Sequence, residues 1–483
     1  MASVGSVGSV GSSTAEQLKP ANAAVSASNS REDNEAPPPE LSPETPLVLV
    51  LCCLIAVVCS LDRVLISIAI LPMTEQFGYS DSTKGLIAAG FSLGYCLGLG
   101  PVSAAASLGS PKTILLGGLL VWSIAQAASP TAAEVSVPAL LGARALMGLG
   151  EAAAVPSLQA VAARFVPASS RSLFWGCLTA SLSCGTLLAY TASPPLIEQY
   201  GWAFAFQLFG GAGLAIALLW GALGADSPRT PLPCTAVSSG ASSGASSVAS
   251  GGASSVASGE SSNADDELAS SKVPWGEIFG SRPVWALAAA HCSTNFFMYF
   301  GLSWLPTYFS YQFGMSTADA SSASLLPFAA GAVGSLTAGV AGDALVSRGL
   351  SLSDSRKVMQ SIGCGGPMLT MAALCALSAG VGGVTLNREE AEALFILGVG
   401  CQSFSAAGYG CGAQDIATKY SSLIYGSTSV LAVLTGACGQ YFTGWLLDQS
   451  GRDFTPMFGL VVAVELAGLI AWNSWWSSNR AFD

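Results

Sequence analysis

The chain has 483 residues, 51% of them hydrophobic and only 10% charged, with a formal net charge of -11. Soluble domains carry about 25% charged residues, so a water-facing surface of this size has little material to be built from. That excludes a nucleic-acid binder, a disordered scaffold and a soluble enzyme, and points to an integral membrane protein.

The acid excess is local. The tail before Pro46 holds Lys19 and Arg31 against six acidic residues, and the stretch 225–282 holds Arg229, Lys272 and Arg282 against six. Residues 1–45 are rich in Ser, Ala, Gly and Pro and have too little apolar area to fold. The first 15 residues lack acids, as a plastid transit peptide would, but they also lack Arg. A disordered cytosolic tail is therefore the preferred reading. No apolar stretch of the secretory kind precedes Pro46. All but one of the 13 Cys, Cys234, fall in apolar stretches, and no CxxC pair occurs. Neither disulfides nor a metal site is expected, and no cofactor.

A helix crossing the hydrocarbon needs about 20 apolar residues. On that scale twelve spans are predicted. Six centre near Ala56, Leu93, Leu120, Gly150, Ser183 and Gly213, and six near Phe297, Gly331, Met371, Gly400, Leu434 and Val464. The expected organisation is a tail (1–45), a six-helix bundle (46–224), a low-complexity loop (225–282) and a second six-helix bundle (283–478). The loop is a Ser/Gly/Ala run of flexible-linker composition. Its Gly240-Ala241-Ser242-Ser243-Gly244 matches the GxSxG pattern by chance, with no strand before it and no helix after it.

Lys and Arg give the orientation. With the tail inside, 13 basic residues fall on inner segments, and three, Lys84, Arg388 and Arg452, fall on outer ones. The remaining two, Arg63 and Arg144, lie within spans. The asymmetry supports an even number of spans with both ends inside. The halves also share punctuation. Leu71-Pro72 and then Phe77-Gly78-Tyr79-Ser80 follow span one; Leu305-Pro306 and then Phe313-Gly314-Met315-Ser316 follow span seven. A parallel repeat of six spans is how the major facilitator fold is built, with the substrate site between halves near mid-membrane.

Ionised residues at mid-bilayer are expensive and face a cavity or a partner. Span one holds Asp62 and Arg63; span four holds Arg144 and Glu151. Asp62 and Arg63 point about 100° apart, and two helical turns separate Arg144 from Glu151 on one face. Guanidinium offers a planar fork matched to carboxylate or phosphate. The set reads as an anion site, with Glu151 and Asp62 as proton carriers; the competing reading is a closed ion-pair network that only locks helices. His291, the one histidine, has Asn295 one turn later on the same face. They read as a proton relay and a substrate contact, or else as satisfied structural groups. Tyr95 lies on a span that should border the cavity, between Gly94 and Gly98, which suit close helix packing. Glu465, mid-way along span twelve, is expected to face lipid.

Several passages resemble the anion transporters of the sialin and vesicular glutamate transporter group, especially its plant and algal plastid-type phosphate branch. They include LDRVLISIAILPMTEQFGYS, ARALMGLGEAAAVP, SPPLIEQYGW, VPWGEIFGSRPVWAL, GDALVSRGLSLSDSRKVMQSIG and QDIATKYSS, across residues 46 to 478. The resemblance implies an all-α major facilitator fold. It also implies that the substrate and coupling residues fall on Arg63, Arg144 and Glu151, and a second acidic coupling position on Asp62. The usual acidic-basic gate pair after span two is replaced by Ala106-Ser107-Leu108-Gly109, while its second-half counterpart keeps Asp343 and Arg348. Gly412 and Ala413 stand where an Asn-His pair is usual, and Asn295-Phe296-Phe297 where Asn-Trp-Gly is usual.

The expected function is secondary active transport of a small anion by alternating access, first inorganic phosphate, coupled to H+ or Na+. The alternatives are an organic-anion symporter (ascorbate, a sugar acid or a similar carboxylate) and a non-transporting membrane receptor derived from a transporter. The expected partners are the anion, its coupling ion and the lipid bilayer. The membrane is that of a plastid or another organelle, or the plasma membrane.

Overall fold

The computed structural model describes residues 45–166, 171–226, 274–380, 386–417 and 420–479. The tail, the low-complexity loop with its Gly240–Gly244 run, Lys19, Arg31, Arg229, Lys272, Lys419 and Arg480 lie outside them. Each predicted span is helical. Spans one to three are Thr45–Phe77, Asp81–Leu108 and Pro111–Val135. Span four comes in two pieces, Val137–Glu151 and Ala154–Phe165. Spans five and six are Arg171–Tyr200 and Trp202–Leu223. A short helix, Trp275–Gly280, precedes span seven, Arg282–Phe313. Spans eight and nine are Thr317–Ser347 and Leu352–Ser378. Span ten runs Arg388–Gln402, a 3-10 turn Ser403–Ala406, then Tyr409–Ile416. Spans eleven and twelve are Ser421–Ser450 and Thr455–Trp475.

Among the described residues, 10 helical stretches are long and apolar enough to cross a membrane. The two spans outside that set are five and seven. Both contribute side chains to a central cavity, and span five is rich in Ser and Thr there, which lowers its hydropathy. The all-helical architecture is that of a multi-pass integral membrane protein.

The repeated punctuation has a structural cause. Gly78 and Gly314 follow the last residues of spans one and seven with φ of 69° and 63°. That left-handed backbone is open to glycine without a Cβ penalty and closes a helix C-terminus. Two residues on, the Ser80 and Ser316 hydroxyls accept from the Thr83 and Asp319 amides and cap spans two and eight. Leu71-Pro72 and Leu305-Pro306 do not follow their spans, as the sequence reading had it. Pro72 and Pro306 lie inside the helices, which run about one and a half and two further turns to Phe77 and Phe313.

Helix packing repeats as well. In the first half span one packs on five and six, two on four, and three on four and six; in the second, seven packs on eleven and twelve, eight on ten, and nine on ten and twelve. The halves meet where span two packs on eleven and span five on eight. Each first-half pairing thus has a counterpart six spans later.

Spans four and ten are broken at corresponding depths. In span four Pro156 has no amide to donate to the Ala152 carbonyl four residues earlier, so the helix stops at Glu151 and restarts at Ala154. In span ten the freed backbone groups are taken up by span nine. Gln360 Oε1 accepts from the Tyr409 amide at 3.0 Å, and Arg356 Nη1 donates to the Ala407 carbonyl at 2.9 Å. Non-helical backbone at membrane depth is tolerated where protein satisfies it.

Glu465 does not face lipid. It is 1% exposed and packed inside the second half, because spans seven and nine both pack on span twelve and cover that face.

Gly94 and Gly98 hold span two against span four. A Cβ on Gly94 would stand 2.0 Å from the Ala145 carbonyl oxygen, and one on Gly98 would stand 2.8 Å from Ala152 Cβ. Backbone on both sides leaves little room to yield. Gly94→Ala is expected to cost about 1–3 kcal/mol, as overpacking does. Thermal unfolding of the purified protein checks this; an unchanged melting temperature would show that the two spans separate freely.

Candidate functional site

The charged set of spans one and four comes together. Arg63 Nε donates to Glu151 Oε1 at 2.8 Å, and Arg63 Nη2 reaches the same oxygen. Cys59, one turn before Arg63, points its thiol at that oxygen from 3.2 Å. Glu151 is fully buried, whereas the Arg63 side chain is 28% exposed, so the pair sits at the edge of the protein interior. The end of the first piece of span four places Glu151. The break after it turns the following backbone away and leaves Glu151 Oε2 without a hydrogen-bond partner.

Arg144 is almost fully buried. Its guanidinium carbon stands 5.4 Å from the Phe91 ring centroid, and that of Arg63 stands 5.1 Å from the same ring. Two guanidinium groups therefore share one aromatic ring, and Tyr95 adds a second ring 5.3 Å from Arg63. Arg144 Nη1 points at Met147 Sδ, and Nε has no hydrogen-bond partner. Asp62 turns away from the cavity and accepts from Gln126 Nε2 of span three at 3.2 Å, with Oδ2 left without a partner. Two acids and two guanidinium groups thus sit together on spans one and four, with Arg63–Glu151 the ion pair described among them.

Beside this set lies a cavity of about 280 Å³, bounded by spans one, five, seven, eight and ten. Arg63 is the one charged residue lining it. Hydroxyls of Ser60, Thr186, Ser335 and Ser403, with the Gln402 amide, provide the polar wall; Phe297, Met298 and Phe328 provide the apolar one.

His291 and Asn295 are not among the lining residues described. Both are buried in span seven. His291 Nδ1 lies 3.2 Å from Thr428 Oγ1, and its ring packs 4.6 Å from Tyr409 and 5.2 Å from Tyr425. That enclosure braces spans seven, ten and eleven. Asp343 and Arg348 are exposed at the inner end of span eight. The ion pair at that end joins Arg356 to Asp415, with Nε to Oδ2 at 2.7 Å.

Sequence reasoning missed Cys59, Gln126 and Gln402. Gln126 and Gln402 had a signal, an amide inside an apolar span; Cys59 had none, because a buried Cys reads as a small hydrophobe. It also took Lys84 and Arg452 as loop charges. Both belong to a cluster that ties spans two, seven and eleven together at the outer end. Lys84 is bonded to Asp81 and to the Tyr311 hydroxyl. Asp448 accepts from the Asp81 amide at 2.9 Å. Arg452 lies 3.6 Å from Asp81 Oδ2 and over the Tyr311 ring. Arg452 is held at φ 71°, the one non-glycine residue with positive φ among those described, a strain that surrounding contacts must sustain. One layer deeper, Ser92 donates to Gln440 Oε1, and Gln440 Nε2 donates to Ser303. Tyr190 of span five stacks on Phe328 of span eight at 5.3 Å. Beside Lys84 the remaining space is about 10 Å³. The outer side is closed.

Comparison with known proteins agrees with this architecture. A model of the Major Facilitator Superfamily matches residues 52–429. The probable anion transporter 1, chloroplastic, of Oryza sativa subsp. japonica is 31% identical over 440 residues, 90% of this chain and 77% of that protein. The ascorbate transporter, chloroplastic, of Arabidopsis thaliana is 30% identical over 443 residues, 90% and 76% of the two chains. The sodium-dependent phosphate transport protein 1, chloroplastic, of the same plant is 29% identical over 448 residues, 91% and 81%. Among solved structures, an inward-facing, occupied bacterial homologue of the human lysosomal transporter Spinster aligns with a TM-score of 0.63 at 16% identity, over 90% of this chain and 95% of that one. A D-xylose-proton symporter aligns at 0.61 and 15%, over 90% and 98%. The resemblance read from the spans is borne out.

The outer cluster has a test in stability. Removing one partner of a buried pair costs about 3–5 kcal/mol, whereas an exposed ion pair contributes about 0–1 kcal/mol. Lys84→Met should therefore lower the thermal unfolding temperature well below that of Arg452→Ala. Equal small shifts would contradict the buried cluster as the outer closure.

Proposed function

The chain belongs to the major facilitator superfamily, and on that premise we propose that it is a secondary active transporter of a small anion, first inorganic phosphate, working by alternating access. The observation that carries the proposal is the Arg63–Glu151 pair at the wall of a cavity between the two halves. Arg63 is the only charged group on the described wall, and it is a cation. A closed lattice of ion pairs would not leave it open to the cavity. The names of the similar proteins, two anion carriers of stated substrate among them, support the substrate class.

The geometry supports a competition. Arg63 neutralises Glu151 when no anion is present. An entering phosphate takes the guanidinium fork for its own oxygens, and Glu151 loses its counter-charge. In a low-dielectric site an unpaired carboxylate is expensive, so Glu151 takes a proton. One proton for each singly charged anion keeps the set of Asp62, Arg63, Arg144 and Glu151 balanced. Arg144 and Asp62 then hold the field around the site, Tyr95 and Phe91 fix the guanidinium planes, and the hydroxyls of Ser60, Thr186 and Ser403 receive the remaining substrate oxygens. Sodium is the alternative coupling ion. The retained charge set speaks against a receptor that binds without transporting.

A second reading has its own observation. Phe297, Met298 and Phe328 form a broad apolar wall that phosphate does not need. They would pack against the carbon frame of an organic anion such as ascorbate or a sugar acid.

Counterflow in proteoliposomes tests the proposal, with labelled phosphate and a panel of carboxylates. Arg63→Ala should lower counterflow of the accepted anion by roughly 10- to 100-fold, the loss of a charge-assisted bond of about 1.5–3 kcal/mol. Glu151→Gln should keep counterflow while losing accumulation driven by a pH gradient. Normal gradient-driven uptake by either variant would overturn the assignment. A sodium requirement in the wild type would replace the proton at Glu151.

A further inference from the structure

The second half contains a buried carboxyl group that the scheme above does not use. Glu465 sits midway along span twelve, is 1% exposed, and has no hydrogen-bond partner on either oxygen. Span seven presents Ser293 to it and span nine presents Cys364. Cys364 is the one titratable group facing it. The nearest charges of span nine, Asp354, Arg356 and Lys357, lie at its inner end, with Lys357 two turns from Cys364. His291 of span seven is turned to Thr428, Tyr409 and Tyr425. The one charge of span eleven, Asp448, is at the outer end. Arg282 of span seven is at its inner end, and among the described residues no cation is paired with Glu465.

The polar groups around it are not isolated. Ser293 Oγ lies 3.5 Å from Cys364 Sγ. Gln360 Nε2 donates to Cys364 Sγ at 3.1 Å and to Ser405 Oγ at 3.2 Å. Ser405 belongs to the 3-10 turn that breaks span ten, and Gln360 Oε1 holds the amide that restarts it. Gln402 and Ser403, at the start of the same break, line the cavity. Polar groups thus run from beside Glu465 through span nine to the break whose first residues line the cavity.

We propose that Glu465 is a second proton-binding site, which exchanges its proton during transport and communicates with the cavity through the Gln360–Ser405 bonds and the break in span ten. The proposal rests on the anion-transport reading for its link to substrate. The step is one proton bound to a carboxylate oxygen and later released, with no other bond changed. A proton suits the site better than sodium: hard cations take six or more oxygen ligands or a near-complete oxygen shell, and here a thiol and one hydroxyl face the carboxyl. Cys364→Ser would add an oxygen without adding a charge.

Infrared difference spectroscopy on the full-length wild type and Glu465→Gln reads the site directly. The expected result is a protonated-carboxyl C=O band that is absent in the variant, titrates with pH, and changes when phosphate is added. Ser293→Ala keeps the carboxyl and should shift the band, which guards against a variant that misfolds. In proteoliposomes, Glu465→Gln should carry one proton fewer per phosphate while counterflow persists. A band that stays constant with pH would overturn the proposal, as would its replacement by a carboxylate signal on adding sodium at fixed pH. The pH titration needs no substrate. A wild type that transports no anion therefore overturns the transport reading, while the band still decides whether Glu465 exchanges a proton.

Discussion

A charge inside a membrane has to be balanced within reach, and the site follows from that constraint. Arg63 is held by Glu151, and Arg144 lies against the Phe91 ring that Arg63 also meets. The pair nearest the cavity, Arg63 with Glu151, is the one in which exchange is open, because Arg63 alone is exposed. Arg144, under Phe91 with its Nε unpartnered, supplies a fixed positive field. On the proposed reading, an anion that displaces Glu151 from Arg63 obliges a cation to arrive.

The contacts between the halves are unevenly placed around this pair. Close contacts between the halves sit on the outer side: the Asp81, Lys84, Tyr311 and Asp448 cluster, the Ser92–Gln440–Ser303 layer, and the Tyr190–Phe328 stack. On the inner side the described ion pair, Arg356 with Asp415, stays within the second half. The first two of these contacts are polar and therefore exchangeable with water, while glycines allow close helix packing both within the halves and, at Gly85 and Gly444, between spans two and eleven. Alternating access would have to open these outer contacts. The broken spans four and ten lie where such motion would be felt, each next to a cavity group, Glu151 and Gln402.

Much of this was legible in the residues, for a physical reason. Low charge content makes the twelve spans stand out, and a charge in an apolar span is conspicuous, so Arg63, Arg144 and Glu151 could be singled out before any geometry. The repeated Phe-Gly-x-Ser was legible as punctuation, but its meaning as a left-handed cap followed by an N-cap needed backbone angles. Counting basic residues by side put Lys84 and Arg452 at the same end, and both meet Asp81 there, yet a count cannot distinguish a solvated loop charge from one buried against Asp81 and Tyr311. Glu465 was misjudged because sequence gives no direction around span twelve; the packing of seven and nine on that face decides it. Cys59 carried no signal at all.

The central claim is that anion and Glu151 compete for Arg63, so that binding the anion brings a proton onto Glu151. Calorimetric titration of the purified protein with phosphate, in buffers of different ionisation enthalpy, measures the protons taken up per anion bound. The account predicts net uptake in the wild type that falls by one proton in Glu151→Gln. Equal uptake in the two proteins, or binding to the wild type with none, would contradict it.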